Sequence, residues 1–171
     1  MLIRNVHERL LSLAPAQVGA LIDSLASPDD GLWPRDRWPA MRLDRPLTVG
    51  AIGGHGPIRY TVDEYEPGLK IRFRFTGMAG FVGTHGFIAE PAASGGTRLR
   101  HELLMHTEGS ARLTWPAVFR PLHDALIEDA LDRAAVAAGQ PPSAPAWSPW
   151  VRVLRRVLRR AARRHSVARP G

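Results

Sequence analysis

The sequence predicts an α+β fold in which a curved antiparallel sheet wraps around one long helix close to the C-terminal end. Between Val49 and Glu108, stretches of alternating apolar and polar residues are separated by glycine-containing turns. That pattern is typical of sequential antiparallel strands. Residues 110–138 instead carry apolar side chains at steps of three and four, which predicts a long amphipathic helix. Such a helix can cover the apolar concave face of a curved sheet.

A strand and a short helix precede this sheet. Residues Leu2–Leu10 mix apolar and charged side chains in the alternation of a strand. Pro15 then opens a helix, because proline suits a first helical turn and the apolar residues after it recur at helical spacing. Residues 32–47 contain three prolines and scattered charges, so we expect an irregular segment there.

The glycine-rich run Gly53-Gly54-His55-Gly56 lies at the start of the sheet region. It lacks the helix and the lysine of a phosphate-binding loop, so we expect the glycines to allow a tight bend between strands. His55 would then be available at the mouth of a cavity. The strands predicted after this run are Pro57–Glu66, Leu69–Thr76, Phe81–Glu90 and Thr97–Thr107.

The long helix over residues 110–138 contains Pro121, which should kink the helix or delay its start. Gly139 is a typical helix terminator. Opposite the apolar stripe lies a row of acids that we expect to be a solvated face: Asp124, Glu128, Asp129 and Asp132.

Charge divides the chain into unequal parts. Eight arginines and no acid fall in residues 140–171, which leaves 15 basic and 16 acidic side chains in residues 1–139. We therefore predict a ligand-binding domain at 1–139, a proline-rich linker at 140–146 and a basic amphipathic tail helix at 147–171. Cysteine is absent, which excludes disulfides and thiolate metal sites. The chain shows neither a signal-peptide core nor a membrane span, so we expect it in the cytoplasm, either free or peripheral at the inner face of the membrane.

Four segments carry a resemblance to a known superfamily: Gly53–Tyr60, Tyr65–Gly68 with Phe73–Phe75, Gly83–Phe87, and Trp115–Asp132. In layout and texture over residues 1–138, the chain resembles the START-like, helix-grip superfamily (SRPBCC), which includes polyketide cyclases, dehydratases and lipid-transfer domains. The resemblance implies a helix-grip fold with an internal ligand cavity. It implies nothing firm about catalysis.

His85 and His101 are the candidate polar groups of that cavity. The alternation of their strands turns both inward and places them nearly opposite each other. Two imidazoles on an apolar face could bind a ligand carbonyl, act as acid and base, or ligate a metal, or they could simply pair with each other. We expect no metal, because no third ligand is evident. The residues predicted to line the cavity are Tyr60, Phe73, Phe75, His85, Phe87, His101, Leu103, Trp115, Phe119 and Leu122.

Two further features have alternative interpretations. Trp33 and Trp38 flank charged residues and could anchor a mobile lid or pack on the domain edge. The tail combines an apolar stripe with a cationic face, which favours contact with anionic lipid over nucleic acid or an idiosyncratic extension. The tail residues predicted to contact a membrane or polyanion are Trp147, Trp150, Arg152, Arg155, Arg156, Arg159, Arg160, Arg163 and Arg164.

Binding or transport of an apolar small molecule or lipid is the function that the sequence favours. The alternatives are a cyclase- or dehydratase-like enzyme that uses His85 and His101, and a regulatory protein whose basic tail binds nucleic acid. No GxSxG, HExxH or cysteine nucleophile is present, which favours binding over catalysis. No cofactor is expected, and the sequence leaves the oligomeric state open.

Overall fold

The computed structural model describes residues 1–167, and of residues 161–167 it describes the backbone alone. One seven-stranded antiparallel sheet has the order β1-β7-β6-β5-β4-β3-β2. Its strands are β1 (Leu2–Leu11), β2 (Arg42–Leu43), β3 (Ile52–His55), β4 (Ile58–Glu66), β5 (Lys70–Phe75), β6 (Phe81–Pro91) and β7 (Thr97–Thr107). The helices are α1 (Pro15–Asp23), α2 (Ala111–Thr114), α3 (Arg120–Ala137) and α4 (Pro149–Val167). None of the helices in the described residues is long and apolar enough to cross a membrane.

Period-two alternation determines which side of each strand is buried. In β5, Ile71 and Phe73 are buried, whereas Arg72 and Arg74 are exposed. The strands β6 and β7 pair along their whole length, from Phe81 opposite Thr107 to Pro91 opposite Thr97. The predicted α+β fold with a curved antiparallel sheet and a long C-terminal helix is therefore confirmed.

The glycine-rich run is part strand and part turn. Gly53 and Gly54 lie within β3 and pair with β2 on one side and β4 on the other, so neither of these two glycines is at a bend. A Cβ added at Gly54 would collide with the carbonyl oxygen of Ile58, which explains why glycine is required in this strand. The tight bend predicted for the run lies at its last residue, Gly56, which has a φ of 51° and joins β3 to β4.

The long helix is interrupted where Pro121 predicts a disturbance. A π-helical turn spans Trp115–Phe119 between α2 and α3, and the backbone N–H of Arg120 donates to the carbonyl of Trp115, five residues earlier. In a regular α-helix the carbonyl of Ala117 would accept from residue 121, but proline has no N–H. That carbonyl instead accepts from Nε1 of Trp150 on α4, at 2.7 Å.

The row of acids on α3 is not a solvated face. Arg9 on β1 donates to Glu128 at 2.8 Å and to Asp132 at 2.9 Å, which ties the edge strand to the helix. Asp129 is only 5% exposed and accepts from both Trp38 and Arg37. Helical spacing groups these acids correctly, but the surface that they face is protein.

Two apolar clusters form the interior between the sheet and the long helix. The larger contains residues from α1, the irregular segment, the central strands and α3, including Trp33 and Trp38. The smaller consists of Phe81, Leu103, Met105, Ala111 and Trp115, with Phe75, Met78 and Phe119 packed partly buried against it.

Candidate functional site

His85 on β6 and His101 on β7 both face the interior. Phe87 pairs with His101, and His85 pairs with Leu103, so the two histidines are diagonal neighbours rather than directly opposite. Nε2 of His101 lies 3.4 Å from Nδ1 of His85. His101 is fully buried and His85 is 7% exposed.

Two more histidines extend this pair, and neither is among the site residues predicted from the sequence. His123 lies on α3, with its ring centroid 5.1 Å from that of His101. Its Nδ1 is 3.4 Å from Oδ1 of Asp124, and Nε2 of His7 on β1 is 3.2 Å from the same oxygen. A signal was available, because His123 precedes Leu126 and Ile127 at the spacing of the buried stripe.

The charges at the outer end of this group, on His7 and Asp124, are set by their hydrogen bonds. Burial alone would lower the pKa of His7, but hydrogen bonds to Asp124 and Glu128 outweigh it and raise that pKa. Burial opposes the charge on Asp124, yet hydrogen bonds with His123 and His7 hold the pKa of this carboxyl well below its usual range. Asp124 is therefore an anion at neutral pH, and the neighbouring His7 is stabilised in its protonated form.

The inner histidines are neutral. Burial lowers the pKa of both His85 and His101 well below the ordinary value, and nearby histidines add to the effect. Burial also lowers the pKa of His123, although Asp124 acts in the opposite direction. Three of their ring nitrogens are buried and have no hydrogen-bond partner among the described residues: His85 Nε2, His101 Nδ1 and His123 Nε2.

Aromatic rings enclose this polar group. The ring of His85 stacks on Phe73 and Phe75 at centroid distances of 5.3 and 4.8 Å. Phe87 meets His101 edge-on at 4.8 Å. The remaining side chains predicted to line a cavity belong to the two apolar clusters, with Leu122 and Phe119 only partly buried. His85 and His101 are thus in direct contact with aromatic side chains of both clusters.

His55 connects the interior to an open groove. The groove has a volume of about 560 Å³ and is lined by residues of the β2–β3 edge, with Arg42 and Arg59 among them. Nδ1 of His55 lies 3.2 Å from the hydroxyl of Tyr60, and the Tyr60 ring meets His85 edge-on at 5.3 Å. Burial lowers the pKa of His55 to about 3, so this ring is also neutral.

The outer end of the group offers a possible set of metal ligands. Among residues whose side chains are described, one set of three offers ligand atoms within 4.8 Å of one another: His7, His123 and Asp124. Hydrogen bonds between the two histidines and the carboxylate already account for this spacing. His85 and His101 gain no third ligand from the described residues.

Trp33 and Trp38 pack into the domain. They are 2% and 7% exposed, which agrees with the packed alternative and not with an open lid. Nε1 of Trp38 donates to Asp129 at 2.6 Å, and Nε1 of Trp33 donates to the carbonyl of Pro39 at 2.9 Å. Trp33 also contacts His55, at 4.7 Å between ring centroids.

The beginning of the tail packs on the same region. Trp147 meets Trp38 edge-on at 5.3 Å, and its Nε1 donates to Asp129 at 3.0 Å. The guanidinium of Arg155 lies 4.0 Å from the centre of the Trp38 ring, and Arg155 is 7% exposed. These contacts place Trp147 and Arg155 against the domain, so neither faces outward as a lipid-contacting residue would.

Most of the other tail side chains up to Arg160 are exposed, whereas Val151 is buried and Leu154 is half-buried. Trp150, Val153, Val157 and Leu158 are exposed apolar residues on α4. Arg152, Arg156, Arg159 and Arg160 are exposed beside them. The side chains of Arg163 and Arg164, also predicted to contact a membrane or polyanion, lie outside the described residues.

Solved structures support the fold. A Thalictrum flavum norcoclaurine synthase point mutant, in complex with a transition-state analogue, has a TM-score of 0.60 and 13% identity, with 82% of this chain and 98% of that chain covered. Ara h 8.0201 gives a TM-score of 0.53 and 13% identity, covering 78% and 98%. This chain has a helix-grip fold. A Thermobifida fusca protein solved by NMR matches at 0.59 and 12%, covering 84% and 99%. No protein-family model matches this helix-grip chain, and no curated protein is significantly similar to it.

Proposed function

We propose that this protein binds an apolar small molecule or lipid between the sheet and α3, with a polar group of the ligand held by the inner histidines. The observation that carries the proposal is the buried, unpartnered Nε2 of His85, on a ring that stacks against Phe73 and Phe75. A buried nitrogen without a hydrogen bond costs about 1–3 kcal/mol. A ligand with one polar group and an apolar body would recover part of that free energy.

The smaller apolar cluster is where such a ligand would enter. Phe75, Met78 and Phe119 are only partly buried there, and Phe119 ends the π-helical turn. Residues in this less regular helix are easier to displace than those of the larger cluster. The norcoclaurine synthase structure, with its transition-state analogue, supports a ligand-bound state in a helix-grip protein.

Native mass spectrometry of protein purified from its own host tests the proposal. We expect a co-purifying small molecule that is lost after denaturation and refolding, together with an at least tenfold lower affinity for it in His85→Leu. His106→Leu is the matched control, because His106 is exposed on β7 and should bind as the wild type does. Protein free of ligand, both as purified and after exposure to host lipid extract, would contradict the proposal. Conversion of the bound molecule would instead support the enzyme alternative.

We further propose that α4 places the protein at anionic membrane. At 100° per residue, Trp150, Val153 and Val157 fall within one 60° arc of the helix. The docked residues Val151 and Arg155 lie to one side of that arc, and Arg152, Arg156 and Arg160 to the other. A cationic strip beside exposed apolar residues fits the headgroup region of an anionic bilayer. The apolar arc and the arginines beside it can thus contact a membrane while Val151 and Arg155 stay packed on the domain.

A further inference from the structure

The inner histidines form a row that begins at a carboxylate. His123 Nδ1 lies 3.4 Å from Asp124 Oδ1, and His101 Nε2 lies 3.4 Å from His85 Nδ1. The centroids of His101 and His123 are 5.1 Å apart, closer than the 5.6 Å between His85 and His101. The row therefore runs from α3 through β7 to β6.

The middle step of the row joins two groups that lack partners. Nε2 of His123 and Nδ1 of His101 are both buried and have no hydrogen-bond partner among the described residues. Ring centroids 5.1 Å apart allow these two atoms to meet after a ring rotation, and a hydrogen bond between them would satisfy both. Every Nδ1 in the row is then turned back toward Asp124, and every Nε2 is turned away from it.

We propose that Asp124 sets the tautomer of each histidine in this row and leaves a bare lone pair on His85 Nε2, which selects ligands that carry a hydroxyl group. The ligand preference rests on the proposed binding function, whereas the order of the tautomers does not. A carboxylate can only accept, and the other groups on Asp124 Oδ1 are donors, from Asn5 and His7. His123 therefore carries its proton on Nδ1.

The order then propagates, because a neutral imidazole has one N–H and one lone pair. With its proton on Nδ1, His123 accepts through Nε2 from Nδ1–H of His101. His101 in turn accepts through Nε2 from Nδ1–H of His85. The last nitrogen, His85 Nε2, has a lone pair and no proton.

That lone pair determines which polar group fits beside it. A ligand carbonyl is an acceptor and finds no donor at His85 Nε2, whereas an alcohol or phenol donates its O–H. Phe73 and Phe75 stack on the same ring, so the body of the ligand has to be apolar. The ligand class is an apolar molecule with a hydroxyl group, in contrast to the carbonyl ligand that the histidine pair suggests from sequence.

Nitrogen-15 NMR of the imidazole rings in the ligand-free protein tests the order directly, because protonated and unprotonated ring nitrogens resonate in separate regions. We expect a proton on Nδ1 of His85, His101 and His123. Asp124→Leu removes the acceptor for His123 Nδ1–H, so the protons of the three rings should no longer be confined to Nδ1. Asp132→Leu is the matched control on the same helix, with no histidine partner, and it should leave the pattern unchanged. A proton on His85 Nε2 in the wild type, or an unchanged pattern in Asp124→Leu, would overturn the proposal.

A matched pair of probes tests the ligand class. 2-Naphthol should bind roughly tenfold more tightly than 2-methoxynaphthalene, the difference expected for about one hydrogen bond. His85→Phe should remove this preference. Equal affinities in the wild type would overturn the hydroxyl selectivity. Failure of both probes to bind would count against the proposed binding site, while the spectra would still decide the order of the tautomers.

Discussion

His55, His85, His101 and His123 are enclosed by the sheet and α3, and burial lowers the pKa of each. In the unfolded chain these rings have a pKa of about 6.5. Below that pH the four imidazoles are protonated in the unfolded chain but stay neutral in the folded protein. The free energy of unfolding therefore falls as the pH falls below about 6.5.

The pH dependence predicts how single histidines contribute. Each buried ring adds about 1.4 kcal/mol per pH unit to the slope of unfolding free energy below its unfolded pKa. We expect His85→Leu to reduce the slope between about pH 6 and pH 5 by that amount, measured by urea unfolding at a series of pH values. His106→Leu should leave the slope unchanged. An equal slope in wild type and His85→Leu would show that the ring is protonated inside the fold.

His7 contributes to the pH dependence with the opposite sign. Its pKa is raised in the folded state, so its stabilisation is complete below the unfolded pKa and is lost as the pH rises through the folded value. Asp124 has a lowered pKa, so its stabilisation is lost only as the pH falls through the acidic range. The two partners together favour a neutral to mildly acidic optimum at this end of the site.

At the scale of elements, Pro121 and Trp150 form a unit across two helices. The proline removes the donor that a regular helix would offer to the carbonyl of Ala117, and the Trp150 indole supplies one. The π-helical turn on one helix is thereby linked to the position of the next.

A double-mutant cycle measures this link. Trp150→Phe should lower the free energy of unfolding by about 1 kcal/mol in the wild type, because the Ala117 carbonyl loses its indole donor. In a Pro121→Ala background the restored backbone N–H can serve that carbonyl, so the same substitution should cost at least about 0.5 kcal/mol less. Additive effects in urea unfolding would contradict the link.

Sequence alone predicts the elements well and their long-range partners poorly. The alternation of Phe73 and Arg74 predicts β5 and its buried face, because a strand has only two faces. The partners of Asp129 could not be predicted in this way, because Trp38 lies in an irregular segment and no pattern relates Trp147 of the tail to α3. Likewise, the inward orientation of His85 and His101 follows from the alternation of their strands. The contact of His123 with His101 depends on how α3 packs on the sheet, which no local pattern predicts.

At the scale of the whole molecule, the five tail arginines whose side chains are described differ in their surroundings. Arg155 is buried against Trp38 and acts within the protein. Arg152, Arg156, Arg159 and Arg160 are exposed and make no ion pair among the described residues. Net charge therefore understates how strongly the charge is localised, and the exposed four are the appropriate targets for a binding test.

Vesicle co-sedimentation of full-length variants tests whether this localisation matters. Changing Arg152, Arg156, Arg159 and Arg160 to glutamine should weaken binding to phosphatidylglycerol vesicles at least tenfold, since each cation near an anionic surface contributes about 1 kcal/mol. The matched control changes Arg4, Arg72, Arg74 and Arg98, four exposed arginines on the sheet, by the same substitution. Because both variants lose the same net charge, a purely global attraction would weaken both equally and contradict a specific α4 contact. If the wild type bound uncharged phosphatidylcholine vesicles equally well, the role of charge would be contradicted. If the α4 variant kept its vesicle binding but lost binding to duplex DNA, the result would favour a nucleic-acid partner.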